Sequence, residues 1–396
     1  MESEGGLRTS IQLYFSSLFR LANKFSAKQK WALGLVNLAS VVIFWVASSF
    51  LVNILASGDL YRKPFLITYI NTGCFSFYFL GYLRNENISL NQFIKSVKED
   101  YKRVELRTTN DQEARVEYGS NDDLAGFNDG FRIIGSRDEQ IGPFETIKLS
   151  MQFTTLWFLA NLVTNASLAY TSVASQTILS STSSFFTLLI GYLYSVEKIN
   201  KNKIFGILLS FAGVLLVTDM DWSTPSDGSS DPNFMALVGN TLALLGAIIY
   251  GTYTILLKLK TKGKYSVKER TLNTHLFFGF VGIYSLIFLW PFLIVLHVTK
   301  YETFELPPNS KVSIIIISNA VLTFISDFCW CNAVLLTSPL TVTVGLSLTI
   351  PLAMIGDWVL QGFAINLLYL FGAIIVTIGF LIINRDERSD FTTEAI

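Results

Sequence analysis

Apolar residues run through this chain in blocks too long for a soluble core, and polar residues gather between the blocks. A helix needs about 20 predominantly apolar residues to cross a bilayer. Ten segments come near that length: 32–56, 64–83, 149–170, 172–194, 203–218, 234–257, 274–299, 312–335, 338–360 and 367–384. Almost nothing separates the third from the fourth, or the eighth from the ninth, which predicts two tight helical hairpins. The expected fold class is an all-α polytopic membrane protein.

One block departs from the rest. Thr171 to Leu193 reads TSVASQTILSSTSSFFTLLIGYL, with hydroxyls at Ser172, Ser175, Thr177, Ser180, Ser181, Ser183, Ser184 and Thr187. A span facing lipid gains nothing from them, whereas one packed on other helices or lining a cavity uses small side chains and hydroxyls for close contact. The same text returns without a gap from Thr337 to Val359, aligning Thr171 with Thr337, Ser172 with Ser338, Thr177 with Thr343 and Ser181 with Ser347. The register continues into the next span, where Phe205, Gly206 and Gly213 meet Phe371, Gly372 and Gly379. One gap earlier, Asn165-Ala166 matches Asn332-Ala333, and more weakly ALGLVN (32–37) resembles ALVGN (236–240). This is an internal duplication of five spans. Five is odd, so the second copy enters the membrane upside down, giving ten transmembrane helices in two inverted five-helix repeats, the plan of many secondary transporters.

The expected division is a cytoplasmic segment 1–31, a first repeat 32–218 with a cytoplasmic loop 84–148, a lumenal loop 219–233, a second repeat 234–384 and a cytoplasmic tail 385–396. Charge sets the orientation. With the N-terminus cytoplasmic, all 30 Lys and Arg except Arg62, Lys63, Lys300 and Lys311 fall on the cytoplasmic side, as the positive-inside rule requires. The loop 219–233 (DMDWSTPSDGSSDPN) has four Asp and no base. Both termini are then cytoplasmic, which an even number of spans permits.

Composition agrees: 51% of the 396 residues are hydrophobic and 15% charged, and the zero net charge points to no nucleic-acid partner. Cys74, Cys329 and Cys331 sit in apolar runs and form no disulfide framework and no metal-ligand spacing with the two histidines. No cofactor and no metal are expected. Residues 1–31 are too polar for a signal peptide. There Ile11, Phe15, Leu18, Ala22 and Phe25 share a helical face, as in an interfacial helix or a mitochondrial presequence. The loop's Asn-, Asp-, Gly- and Ser-rich middle, around 108–130, reads as disordered. Its Asn87-Ile88-Ser89 and the membrane-embedded Asn165-Ala166-Ser167 match glycosylation sequons that the expected topology leaves unmodified.

Ionisable groups inside spans are costly and mark function by default. No Lys or Arg falls inside a span as counted here. The acids are Asp327, mid-span within FISDFCWCN, and Asp357, late in span nine. Asp327 suits proton coupling, a counter-charge for a cationic substrate, or a structural hydrogen bond; Asp357 suits proton coupling or contact with the interface. In span three Trp157, Asn161 and Thr164 share a helical face, which fits a ligand cavity and equally a hydrogen-bonded helix interface. Tyr250 and Tyr253, beside Gly251, fit a gate or an interfacial anchor. Pro291 and Pro351 interrupt spans seven and nine; Pro351 frees backbone carbonyls near the midplane. His275 and His297, near the ends of span seven, read as wet polar residues.

At these residues a resemblance enters. WFLANLVTNASLAYTSVASQTILSSTSSFFTLLIGYL (157–193) with KIFGILLSFAGVLLV (203–217) resembles the drug/metabolite transporter superfamily, in the branch of nucleotide-sugar-transporter-like solute carriers of family thirty-five, subgroup F. VIFWVASSFLVNIL and YRKPFLITYINT (61–72) look like fungal vacuolar and mitochondrial members. The likeness covers about 30–85 and 145–385. It implies a central cavity, alternating access and a substrate site carried by Trp157, Asn161, Asn165, Ser181, Asp327, Trp330 and Ser347, and Asp357 matches an acid that related members also place late in span nine. The residues themselves add Tyr250 as an aromatic shaping the site, and Asp327 and Asp357 as proton-coupling groups. Nucleotide-sugar carriers of this kind place Lys or Arg in the cavity to hold phosphate, and burying phosphate without counter-charge is prohibitive. A neutral or cationic metabolite is therefore the expected solute, a nucleotide sugar the lesser reading. Other readings are a non-transporting scaffold or receptor acting through the 84–148 loop, and an intramembrane aspartyl hydrolase using Asp327 and Asp357, whose family motifs are absent. The expected partners are a small-molecule substrate, the lipid bilayer and, as homodimer, a second copy. The expected location is an endomembrane, the vacuolar membrane first and the mitochondrial or Golgi membrane behind.

Overall fold

The computed structural model describes residues 26–57, 61, 63–118, 140–167, 179–218, 232–262, 270–361 and 367–394. Among these the chain is helical, with a single parallel bridge between Gln140 and Thr271. In order the helices are α1 (Ala27–Ser57), α2 (Pro64–Gly73), α3 (Ser76–Asn85), α4 (Leu90–Tyr118), α5 (Pro143–Ser167), α6 (Ser183–Leu193), α7 (Lys201–Thr218), α8 (Pro232–Lys262), α9 (Thr274–Val298), α10 (Ser310–Leu336), α11 (Pro339–Gly345), a 3-10 turn (Leu346–Leu348), α12 (Thr349–Gln361) and α13 (Leu367–Glu394). Ala27–Val52, Leu237–Thr261, Thr274–Val298 and Ser310–Leu336 are each long and apolar enough to cross a bilayer unbroken. The fold is an all-α multi-pass membrane fold.

Helix starts follow local chemistry. Asn273, Asn309 and Ser338 cap α9, α10 and α11 by accepting the backbone N–H three residues on, and Pro64 and Pro339 open α2 and α11 at the position where a missing N–H costs nothing. Two expected spans are broken in the middle. Segment 338–360 passes through the 3-10 turn 346–348; Pro351 cannot donate to Ser347 and its ring crowds that carbonyl, so the regular ladder yields there. Segment 64–83 turns at Gly73–Phe75, between α2 and α3. The bend presses onto α9, where a Cβ at Gly282 would come within 2.1 Å of Ser76 N and one at Gly279 within 2.6 Å of Phe79 N.

Packing pairs helices far apart in sequence: α1 with α10, α5 with α8, α2 and α3 with α9, α6 with α8, α12 with α1, and α7 with α13. In the last pair the backbones nearly touch. A Cβ at Gly379 would stand 2.8 Å from the Gly206 carbonyl, and one at Gly213 would stand 2.9 Å from the Gly372 carbonyl.

Three expectations need revision. The loop 84–148 is not loop throughout, because α4 runs to Tyr118 across part of the stretch read as disordered. Ser89-x-x-Gln92 starts it as a capping box: Gln92 Oε1 accepts from Ser89 N at 2.8 Å and Gln92 N donates to Ser89 Oγ at 3.3 Å. Secondly, Lys203 and Lys258 lie within α7 and α8 and are almost fully buried, because both helices outrun their apolar segments. Thirdly, His275 is packed among rings rather than wet, edge-on to Phe328 at 5.0 Å and to Tyr78 at 5.6 Å. The N-terminal stretch 11–25, Ser172, Ser175, Thr177 and loop residues 219–231 lie outside the described residues.

Candidate functional site

Where the long helices cross, aromatic side chains surround a cavity of about 20 Å³, room for roughly one water molecule. Trp45 reaches it from α1, Phe75 from the α2–α3 bend, and Phe153 and Trp157 from α5. Tyr253 of α8, Phe278 and Val281 of α9, and Asp327 and Trp330 of α10 complete the wall. Helix spacing sets the presentation. Phe153 and Trp157 stand one turn apart on α5, and Asp327 and Trp330 lie three apart on α10, so each pair shares a face.

The rings brace one another. Trp330 Nε1 donates to the Tyr250 hydroxyl at 3.3 Å, and Tyr250 packs on Tyr253 at 5.0 Å. Phe153 meets Tyr253, Phe277 and Trp330 at 5.1 to 5.8 Å. Below Asp327, Tyr78 stacks on Phe324 at 3.8 Å and donates its hydroxyl to the Phe324 carbonyl. Asp327 is half-buried and takes a hydrogen bond from the Trp45 indole. Among the described residues no Lys, Arg or His forms a salt bridge with it. One carboxylate among the electron-rich faces of three Trp and several Phe and Tyr is an environment that attracts a cation.

Of the expected site residues, Trp157, Asp327 and Trp330 line the cavity, and Tyr250 stands behind Trp330 as its hydrogen-bond partner. Asn161 turns to its own helix and donates Nδ2 to the Trp157 carbonyl at 2.8 Å. Thr164, further along that face, packs against Gly246 of α8. Ser181 sits in the turn before α6, where its carbonyl accepts from Ser184 Oγ at 3.1 Å. Ser347 is half-buried in the 3-10 turn. Asn165 and Asp357 lie in α5 and α12, but their side chains are outside the described residues. Sequence reasoning did not single out Trp45, Phe75, Phe153 or Phe278. Phe153 does carry a signal in the text: it stands one turn N-terminal to Trp157, on the same helical face.

Polar clusters close the bundle at each end. At one end Lys203 Nζ lies 2.5 Å from Glu387 Oε1 and 2.9 Å from Asp390 Oδ2. Glu197 accepts from the Leu340 backbone N–H at 3.2 Å and hydrogen-bonds Glu387, so a proton must lie between the two carboxyls. Burial, and then the neighbouring Glu387, push the Glu197 carboxyl well above the usual carboxylate range. Lys258 donates to the Leu335 carbonyl nearby. At the other end Glu302 accepts from the Phe65 and Leu66 N–H groups at 2.9 and 2.8 Å, while Lys63 contacts Thr303 and Glu305. Hydrogen bonds from Thr303 and Lys63 hold the Glu305 carboxyl below the usual range.

Comparison with known proteins follows this geometry. Residues 147–219 match the EamA-like transporter family. The chain is 44% identical over 389 residues to a vacuolar membrane protein of Saccharomyces cerevisiae, covering 94% of each. It is 39% identical to the thiamine-repressible mitochondrial transport protein of the same yeast, covering 90% of this chain and 92% of the relative. Solute carrier family 35 member F5 of Mus musculus is 28% identical over 95% of this chain and 82% of its own length. A solved crystal structure of 10% identity superposes with a TM-score of 0.59 over 91% of this chain and 98% of that one.

Proposed function

We propose a carrier of a small cationic or neutral metabolite: the chain belongs to the EamA-like transporter family, and from that premise the aromatic cavity is the place where a solute would be held. The observation that carries this reading is Asp327, an acid with no basic partner among the described residues, set among Trp45, Trp157 and Trp330. An organic cation would gain the carboxylate's charge and the ring faces together, each aromatic contact worth about 0.5–2 kcal/mol. A cavity of about 20 Å³ admits no metabolite, so loading requires the helices to part, and the structure fits an occluded conformation.

The proposed mechanism is alternating access by two inverted five-helix repeats, 32–218 and 234–384, with both termini cytoplasmic. Its support is that the helix pairing is unchanged when the repeats are exchanged. Exchange turns α1 against α10 into α8 against α5, and α6 against α8 into α12 against α1. The glycines say the same at atomic scale. Gly206 is equivalent to Gly372 and Gly213 to Gly379, and the close contacts are Gly206 with Gly379 and Gly213 with Gly372. Two contacts that map onto each other in this way are what a two-fold axis between antiparallel helices produces. Asp327 is proposed as the proton-coupling group, exchanging a proton or pairing with the solute, and the vacuolar membrane as the site of action, in line with the relative there.

The test is uptake into proteoliposomes of a panel of organic cations, thiamine among them, against neutral metabolites and nucleotide sugars. Saturable cation uptake that falls roughly 10- to 100-fold in Asp327→Asn is expected, the value of one lost charge-assisted contact. Nucleotide-sugar exchange that is indifferent to Asp327→Asn would overturn the assignment.

A further inference from the structure

The first three turns of helix α4 pack on the end of the bundle. Phe93 packs on Tyr82 at the close of α3 and on Phe280 near the start of α9. Two turns later Asp100 Oδ2 accepts from Phe144 N at 2.9 Å, and Tyr101 meets the Phe144 ring at 5.0 Å, both at the start of α5. Successive turns of α4 thus touch the ends of three different helices. In a multi-pass membrane fold such a helix runs in the plane of the interface.

Its faces are divided accordingly. At 3.6 residues per turn, Phe93, Val97 and Asp100 point one way, into the bundle. Leu90, Tyr101 and Ile94 follow within about 40° of one another, and Lys98, Lys102 and Lys95 stand between about 80° and 140° further round. Leu90, Ile94 and Tyr101 are 54%, 45% and 47% exposed, and the three lysines are exposed as well. Glu105 breaks the basic edge only beyond Lys102, and Glu99, one turn from Lys95 and from Lys102, marks its far border, opposite the apolar strip. A short apolar strip bordered on one side by lysines is the pattern of a helix seated in a headgroup layer, with lysines reaching for phosphate oxygens.

We propose that α4 is a surface anchor that seats Leu90, Ile94 and Tyr101 in the bilayer interface and binds anionic lipid headgroups through Lys95, Lys98 and Lys102. Charge complementarity selects an anionic leaflet over a zwitterionic one. The covalent continuity of α4 with membrane-crossing helices holds it at the required depth, so no separate affinity is needed to recruit it. Asp100 then ties the seated helix to the first turn of α5, the helix that carries Trp157.

Hydrogen exchange of residues 90–106 in the full chain tests this, with the protein in nanodiscs of phosphatidylcholine alone or with phosphatidylserine. Phosphatidylserine should slow exchange there by up to about fivefold for each lysine engaged, leave α10 unchanged, and lose its effect in high salt. Lys95→Glu, Lys98→Glu and Lys102→Glu combined should abolish the difference between the two lipids. Ile94→Ser should speed exchange in both. Equal exchange in both lipids would overturn the proposal, as would a phosphatidylserine effect that survives the triple reversal. Slowing reproduced by soluble glycerophosphoserine in phosphatidylcholine discs would also overturn it, since no surface would then be involved.

Discussion

The two ends of the bundle solve one problem with different strength. At each, a proline opens a helix, Pro339 of α11 or Pro64 of α2, and a glutamate from a distant loop accepts the N–H groups that follow. At the Lys203 end the glutamate belongs to a nearly dry network of one ammonium and three carboxyls. At the Lys63 end the partner Glu305 is 64% exposed and water shares the charges. Buried pairs are expensive to break and exposed ones contribute little. In the proposed opening of the central cavity, the Lys63 end should part more readily.

The largest expected effect is at the tight end. Lys203→Met strands Glu387 and Asp390 without a counter-charge and should cost about 3–5 kcal/mol, read as a lowered melting midpoint and poor yield in detergent. A loss no greater than that of Lys63→Met would break the comparison. Next, Glu302→Ala removes a charged acceptor from two N–H groups and should cost roughly 2–3 kcal/mol, with faster hydrogen exchange confined to the start of α2. Global loss instead would mean that this end is not a local clasp.

The ends should also answer pH with opposite signs. Glu197 titrates above the ordinary carboxylate range when folded. Folding therefore favours its protonated form, and its contribution is complete below that range and lost as pH rises through the raised value. Glu305 is held low, so its contribution is complete above the ordinary range and lost as pH falls through the lowered value. Melting curves across pH should show Glu197→Gln flattening the alkaline decline and Glu305→Gln flattening the acid one. An unchanged alkaline slope in Glu197→Gln would remove the shared proton from the account. The smallest effect is Lys63→Ala, because Glu305 stands largely in water: the denaturation midpoint should stay close to that of the unaltered protein. A larger loss by chemical denaturation would make the two ends alike.

Much of this was legible beforehand. Apolar length located the four longest apolar helices among the described residues, and the two residues between Leu336 and Pro339 close one tight hairpin. The α4 capping box, Ser89-x-x-Gln92, was present in the text but outweighed by the polar composition that follows it. Lys203 and Lys258 stand at the edges of the apolar segments 203–218 and 234–257, because hydropathy ends a span at its first charge. Their helices continue because each ammonium finds acceptors inside the protein. The polar face of α5 fits a cavity and a helix interface equally in the text, and the structure divides it: Trp157 turns to the cavity, Asn161 bonds its own helix and Thr164 packs on α8.

The sequence by itself determined which segments leave water, because transfer of apolar side chains adds up over a local window, and it carries the repeated letters on which the proposed duplication rests. Only the tertiary structure decided which acid is neutralised and which is left open. In the text Glu387 belongs to the cytoplasmic tail and Asp327 to the middle of a span. The partner of the first is an ammonium 184 positions earlier, as far as Glu387 is from Lys203, whereas the second meets an indole from α1 and a ring of aromatic faces. Electrostatic energy depends on distance in space, and no local reading of the chain contains those distances.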